Sequence, residues 1–234
     1  MSENPRQELQ ELTVGLSTWL KFQRRLGWLG APRQEKPAGE SARPARTDRP
    51  TLAEIREEMG DCQRCKLGRT RTNLVFGEGS PQARLMFVGE APGAEEDLKG
   101  RPFVGEAGGL LDNMLNKLGL RREEVYIANI LKSRPPGNRD PEPDEVAACL
   151  PFLIKQIDSI RPRVIVTLGK IATNNLLNID VQITKIRGNW QKFRNTRVMP
   201  TFHPSYLRRF PQERKKTWED MQQVMEYLAA HEED

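Results

Sequence analysis

The chain has 234 residues, with 37 Lys and Arg against 32 Asp and Glu for a net charge of +5; this length suits one catalytic core with a tail better than two full enzyme domains. Apolar residues at 37% and aromatics at 6% are sparse for a globular chain, so part of it is expected to lie outside the core. No apolar run approaches the ~18 residues of a membrane helix, no charged n-region leads into an apolar h-region, and three cysteines argue against a disulfide framework, so no membrane partner is expected and the setting is reducing and cytoplasmic.

Residues 1–30 are expected to form an amphipathic helix, with Asn4 as its cap and Pro5 at the first helical position. Leu9, Leu12, Leu16, Trp19 and Leu20 recur at spacings of three and four and build one apolar stripe, which Phe22, Leu26, Trp28 and Leu29 extend. Three uses are open for it: packing on its own domain, docking a protein partner of unknown kind, or self-association. Residues 31–50 contain no Leu, Ile, Val, Met, Phe, Trp or Tyr and have nothing to bury against their ordering entropy, which predicts a flexible linker rich in Pro, Arg and Ala.

The compact domain is expected over 51–234. A short helix at 51–60 delivers Cys62 and Cys65. Strand signals at 84–88, 125–131, 164–168 and 198–202 alternate with helical ones at 109–118, 142–160, 170–177 and 212–230. This alternation predicts an α/β fold, a three-layer α/β/α sandwich around a central four-stranded, mostly parallel sheet. Ligands of such sheets bind outside the carboxyl ends of the strands, here the segments that begin at Gly89, Asn129, Gly169 and His203.

Four features in those segments and beside them bear on chemistry. Gly89-Glu90-Ala91-Pro92-Gly93 follows the first strand, and Glu95, Glu96 and Asp97 come after it. The run is neither a dinucleotide fingerprint nor a phosphate-binding loop. A backbone cradle beside several carboxylates suits a site that positions water or faces a cationic transition state. Asn129 lies in an apolar strand, where its amide must find partners; a structural bond to a loop and the reading of a nucleobase edge are both open. His203 is one of two histidines and precedes a helix start, with Ser205, Arg208 and Arg209 close by. Cys62 and Cys65 form a two-residue-spaced pair with Cys149 far downstream; a pair plus one is a metal site short of a ligand, or ordinary thiols.

Taken together these residues resemble the family 4 uracil-DNA glycosylases, the iron–sulfur branch of the uracil-DNA glycosylase superfamily. The resemblance runs from Cys62 to Arg209 and rests on three blocks in order. Gly89-Glu90-Ala91-Pro92-Gly93 with Glu96-Asp97, Gly100 and Pro102-Phe103-Val104-Gly105 is similar to the first catalytic motif. Asn129-Ile130-Leu131-Lys132 leads into Arg134-Pro135-Pro136-Gly137-Asn138-Arg139, and His203-Pro204-Ser205-Tyr206-Leu207 is similar to the second catalytic motif.

The resemblance implies hydrolysis of the N-glycosidic bond of uracil in DNA, single- or double-stranded, by a monomer that starts base excision repair. His203 would stabilise the uracil oxygen nearest the breaking bond, Asn129 would read the base edge and Phe103 would stack on the flipped base. Backbone groups of Glu90 and Ala91 would contact uracil, and a carboxylate among Glu90, Glu96 and Asp97 would position water or crowd the thymine methyl. Ser205 and Arg208 would contact phosphate. The family's 4Fe–4S cluster would take Cys62, Cys65, position 133 and Cys149, but position 133 is Ser133. Ligation through the serine oxygen, an incomplete cluster and no stable cluster are all open. Two other classes share these features: a silent module that binds uracil DNA without cutting it, and an α/β hydrolase of free nucleotides.

Overall fold

A computed structural model of the chain describes residues 49–231. The expected N-terminal helix, and the expected linker apart from its last two residues, lie outside that span. Helix α1 (Leu52–Met59) opens the described chain. Thr51 caps it: its hydroxyl accepts from the Glu54 amide while the Glu54 carboxylate accepts from the Thr51 amide. There follow β1 (Glu78–Gly79), β2 (Leu85–Gly89), α2 (Ala94–Lys99), α3 (Glu106–Lys117), β3 (Tyr126–Asn129), α4 (Pro143–Ile160) and β4 (Val164–Leu168). The chain continues through α5 (Lys170–Leu177), α6 (Ile183–Ile186), β5 (Gln191–Phe193), β6 (Thr196–Thr201), α7 (Pro204–Arg209) and α8 (Arg214–Ala230).

The sheet has six strands in the order β1-β3-β2-β4-β6-β5. The four expected strands are its middle, parallel to one another throughout. The expectation of four is corrected by two short antiparallel edges, β1 on β3 and β5 on β6. These edges are two or three residues long, too short to leave a hydrophobic period. The expected strand over 125–131 also shortens to Tyr126–Asn129, so Asn129 stands at its carboxyl end.

Side chains alternate across the sheet and feed two cores. Met86, Val88, Ala128 and Ile165 join Leu153 and Ile157 of α4 and Ala172 and Leu176 of α5. Leu85, Phe87, Ile127 and Val166 join Leu111 and Leu115 of α3 and Met221 and Val224 of α8. Every residue of β2 and β4 is buried, as helices on both faces require of a parallel sheet. The three-layer sandwich is therefore present. From β2 the chain turns toward β3, whereas from β4 it turns toward β6, so the crevice between the ends of β2 and β4 is the switch point where such folds hold ligands.

Candidate active site

The switch point is built around two glycines. Gly89 ends β2, and a methyl group added there would lie 2.4 Å from Asn129 Oδ1 and 2.5 Å from Phe103 Cζ. Only glycine lets that ring and that amide approach the strand end together. Gly169 follows β4 with φ +91°, and an added methyl would lie 2.9 Å from His203 Cβ. The Phe103 and His203 rings are 5.7 Å apart and inclined at 39°. The fold thus gathers Asn129, Phe103 and His203, which are far apart in sequence, at one end of the sheet.

Asn129 is 2% exposed, and its Oδ1 has no hydrogen-bond partner among the described residues. A buried acceptor left unpaired costs about 1–3 kcal/mol, so this atom is a candidate contact for a ligand. Its backbone is held from below. The Lys132 ammonium donates to the Asn129 carbonyl at 2.9 Å and to Gln156 Oε1 at 2.7 Å, and Gln156 in turn donates to Phe76 O and Tyr126 Oη. Lys132 is wholly buried, which pulls its pKa down to about 7.

Phe103 sits at φ +52°, a left-handed conformation that a bulky residue adopts only under constraint. The constraint is Arg122, whose guanidinium donates to Phe103 O at 3.0 Å and Pro102 O at 2.6 Å while bonding Glu78 and Asp112. Gly108 completes it, because an added methyl there would strike Phe103 O. Arg122 lies in the charged run Arg121-Arg122-Glu123-Glu124, which carries no sequence signal of this role; the role depends on a contact 19 residues away.

His203 caps α7. Its Nδ1 accepts from the Ser205 backbone N–H at 3.2 Å and lies 2.7 Å from Ser205 Oγ. An Nδ1 that accepts an amide leaves the proton of the neutral ring on Nε2. Burial lowers the ring's pKa to about 4, with the Glu96 charge opposing the shift. His203 is therefore a neutral Nε2–H donor at ordinary pH. Ser205 is thereby turned toward this ring, and Arg208 is paired with Glu106 at the start of α3.

The three carboxylates separate. Glu96 accepts from the Gly93, Val104 and Gly105 amides at 3.1, 2.8 and 2.8 Å, tying the glycine loop to the Phe103 loop. Asp97 is buried and accepts from the Thr72 and Asn73 amides. Glu90 is half-buried, and desolvation with the Asp140 charge raises its pKa to about 7. Ala91 packs against the α4-side core.

The cysteines form a second locus. The Lys132 backbone N–H donates to Cys149 Sγ at 3.2 Å. Burial pushes the Cys149 thiol up, and the Cys65 and Cys62 sulfurs add to the rise. Ser133 is 4% exposed, and its Oγ accepts from Arg71, which also donates to Cys62 O at 2.7 Å. Three thiols and a hydroxyl already engaged by a guanidinium do not make the four-thiolate set of a 4Fe–4S cluster. Among the described residues, no three His, Cys, Asp or Glu side chains are grouped to hold a metal ion.

A flat ring, an unpaired amide oxygen and a neutral imidazole donor thus meet at the switch point of an α/β/α sandwich, a set of groups that matches a planar polar heterocycle. The sequence profile of the uracil DNA glycosylase superfamily matches residues 76–228. The chain is 48% identical over 185 residues to the type-4 uracil-DNA glycosylase of Sulfurisphaera tokodaii, covering 75% of this chain and 84% of that one. It is 52% identical over 159 residues to the type-4 uracil-DNA glycosylase of Thermotoga maritima, covering 66% and 82%. A type-5 uracil-DNA glycosylase of Thermus thermophilus is 34% identical over 144 residues, covering 55% and 65%. The chain belongs to the uracil DNA glycosylase superfamily, among its type-4 members.

Proposed function

We propose that the chain hydrolyses the N-glycosidic bond of uracil in DNA with Asn129, Phe103 and His203 as the residues that bind and activate the base. The observation that carries this reading is the fixed tautomer of His203. Breaking the C1′–N1 bond sends its electron pair onto the base, where charge collects on the oxygen beside N1, and leaves positive charge on the sugar until water adds at C1′ and passes its proton to the Glu90 carboxylate. A neutral Nε2–H held by the α7 cap stabilises that oxygen by a hydrogen bond without giving up its proton. Donors aimed at developing charge supply about 10²–10³-fold in rate.

Phe103 stacks on the base, which must leave the helix stack to reach the slot. The unpaired Asn129 Oδ1 accepts the N3–H of uracil, while its amide N–H meets a carbonyl; cytosine presents an acceptor at N3 and is refused. Ala91 and the Glu90 backbone line the same strand end. Of the three carboxylates, Glu90 is the one to orient water, because Glu96 and Asp97 are committed to backbone amides. Ser205 acts on His203, and Arg208 reaches DNA phosphate by exchanging Glu106 for it. The 4Fe–4S cluster of the family is retained weakly or not at all, since Cys62, Cys65 and Cys149 lack a fourth thiolate, and no step above requires it.

The test is alkaline cleavage of a labelled single-stranded oligonucleotide carrying one uracil. Strand scission is expected with the wild type. Asn129→Asp is expected to lose uracil excision or gain cytosine excision, shifting selectivity by about 100-fold or more. Tight binding of uracil DNA with no scission would instead mark a silent module.

A further inference from the structure

Beside the slot, on the outer flank of α7, lies a groove of about 550 Å³ between α3, α7 and α8. Its floor is apolar, formed by Leu111, Leu168, Phe202 and Leu207, with the half-buried Trp218 on one wall. Three of the residues around it, Lys117, Arg214 and Lys215, are cationic, and none is acidic. Lys117 and Lys215 are exposed.

We propose that the groove takes the unpaired nucleotide flanking the flipped uracil, so that it is a single-strand binding site continuous with the active site. The inference rests on the reading of the slot as a uracil site in DNA. Continuity comes from α7: Pro204 and Leu207 line the groove, while the same helix is capped by His203. A strand whose uracil lies in the slot must run onward over α7. An aromatic and aliphatic floor under a rim of one charge sign matches what single-stranded nucleic acid presents, a base face and a phosphate. A peptide helix would match the floor but would gain nothing from three cations without a carboxylate among them, unless it were acidic.

The test uses the full chain and a uracil-free 15-mer of thymidine, so that binding is read without excision. Thymidine 15-mer binding is expected to change the tryptophan fluorescence of the wild type, and Trp218→Phe is expected to remove that change while binding persists. The double substitution Lys117→Glu/Lys215→Glu is expected to weaken 15-mer binding about tenfold and to lower the slope of log K against log salt by about 1.4, roughly 0.7 for each lost phosphate contact. The same variant is expected to raise KM for a single-stranded uracil oligonucleotide. Lys192→Glu/Arg194→Glu, two exposed reversals at the far edge strand β5, match the change in net charge and serve as its control. The proposal is overturned if the double variant behaves as that control does, or if the 15-mer binds without altering Trp218. It is equally overturned if the wild type self-associates through this face in place of binding the 15-mer. A wild type that binds the 15-mer through the groove yet releases no uracil would refute the glycosylase reading and leave the groove standing.

Discussion

His203 carries a lesson about how little of a side chain's role is local. Its position was readable, since a histidine just past a strand end in an α/β sequence falls where ligands bind. Its protonation was not, because that depends on the Ser205 amide and on burial by the folded sheet. Ser205 itself reads in sequence as a phosphate contact, and the structure turns it toward the imidazole. Glu90 is the other residue whose state depends on the fold. Its pKa is raised to about 7, so its contribution to stability is full below the unfolded value of 4.5 and is lost as pH rises through 7. Glu90→Gln removes the charge that costs free energy. The variant is expected to be more stable than wild type at pH 8, by an amount on the order of 2 kcal/mol, and no more stable at pH 4. Thermal melts at the two pH values measure this; an equal gain at both would show that the carboxyl is not desolvated. Activity of the same variant reports separately whether the carboxylate orients water.

At the scale of elements, β2 and β4 were legible because burial on both faces writes an unbroken apolar run into the sequence. The edges β1 and β5 were not, because strands of two or three residues acquire their conformation only from the neighbour they pair with. The glycine-rich stretch after β2 was legible as a site but not as a mechanism: its acids look catalytic together, and only the fold sends Glu96 and Asp97 to backbone amides. The conjunction at Gly89 makes the sharpest test. Gly89→Ala places a methyl where Phe103 and Asn129 now meet. Uracil excision is expected to fall by at least about 100-fold, since a misplacement of 1 Å near the chemistry has that effect, while circular dichroism stays that of the wild type because the strand conformation itself is ordinary. Retained activity would show that the slot does not close on the base in this way. Gly169 differs, as its φ of +91° makes any replacement strain the backbone as well.

For the whole molecule, the cysteine locus and the proposed base slot are neighbours along one strap. Between Asn129 and Ser133 the chain gives its first side chain to the slot, its Lys132 ammonium to the Asn129 carbonyl, its Lys132 amide to Cys149 and its last hydroxyl to Arg71. Protein contacts therefore supply an anchorage that the family's cluster would otherwise share. Ser133→Cys is expected to raise iron content and visible absorption in anaerobic preparations and to raise the melting temperature, while wild type keeps full excision after chelation. Elemental analysis beside the excision assay checks both halves. Full iron content with air-stable absorption in the wild type would show that three cysteines and Ser133 hold the cluster well.

The order in which the sheet is assembled has a consequence for the chain as it is made. Synthesis delivers β2, then β3, β4 and finally β6, and the slot draws on residues from Gly89 to His203, the last of them beyond the final central strand. Long-range strand pairing of this kind closes late. A growing polypeptide on the ribosome thus carries Phe103 and Asn129 well before it carries His203. The proposed site is therefore complete only once β6 has paired with β4 and His203 has capped α7.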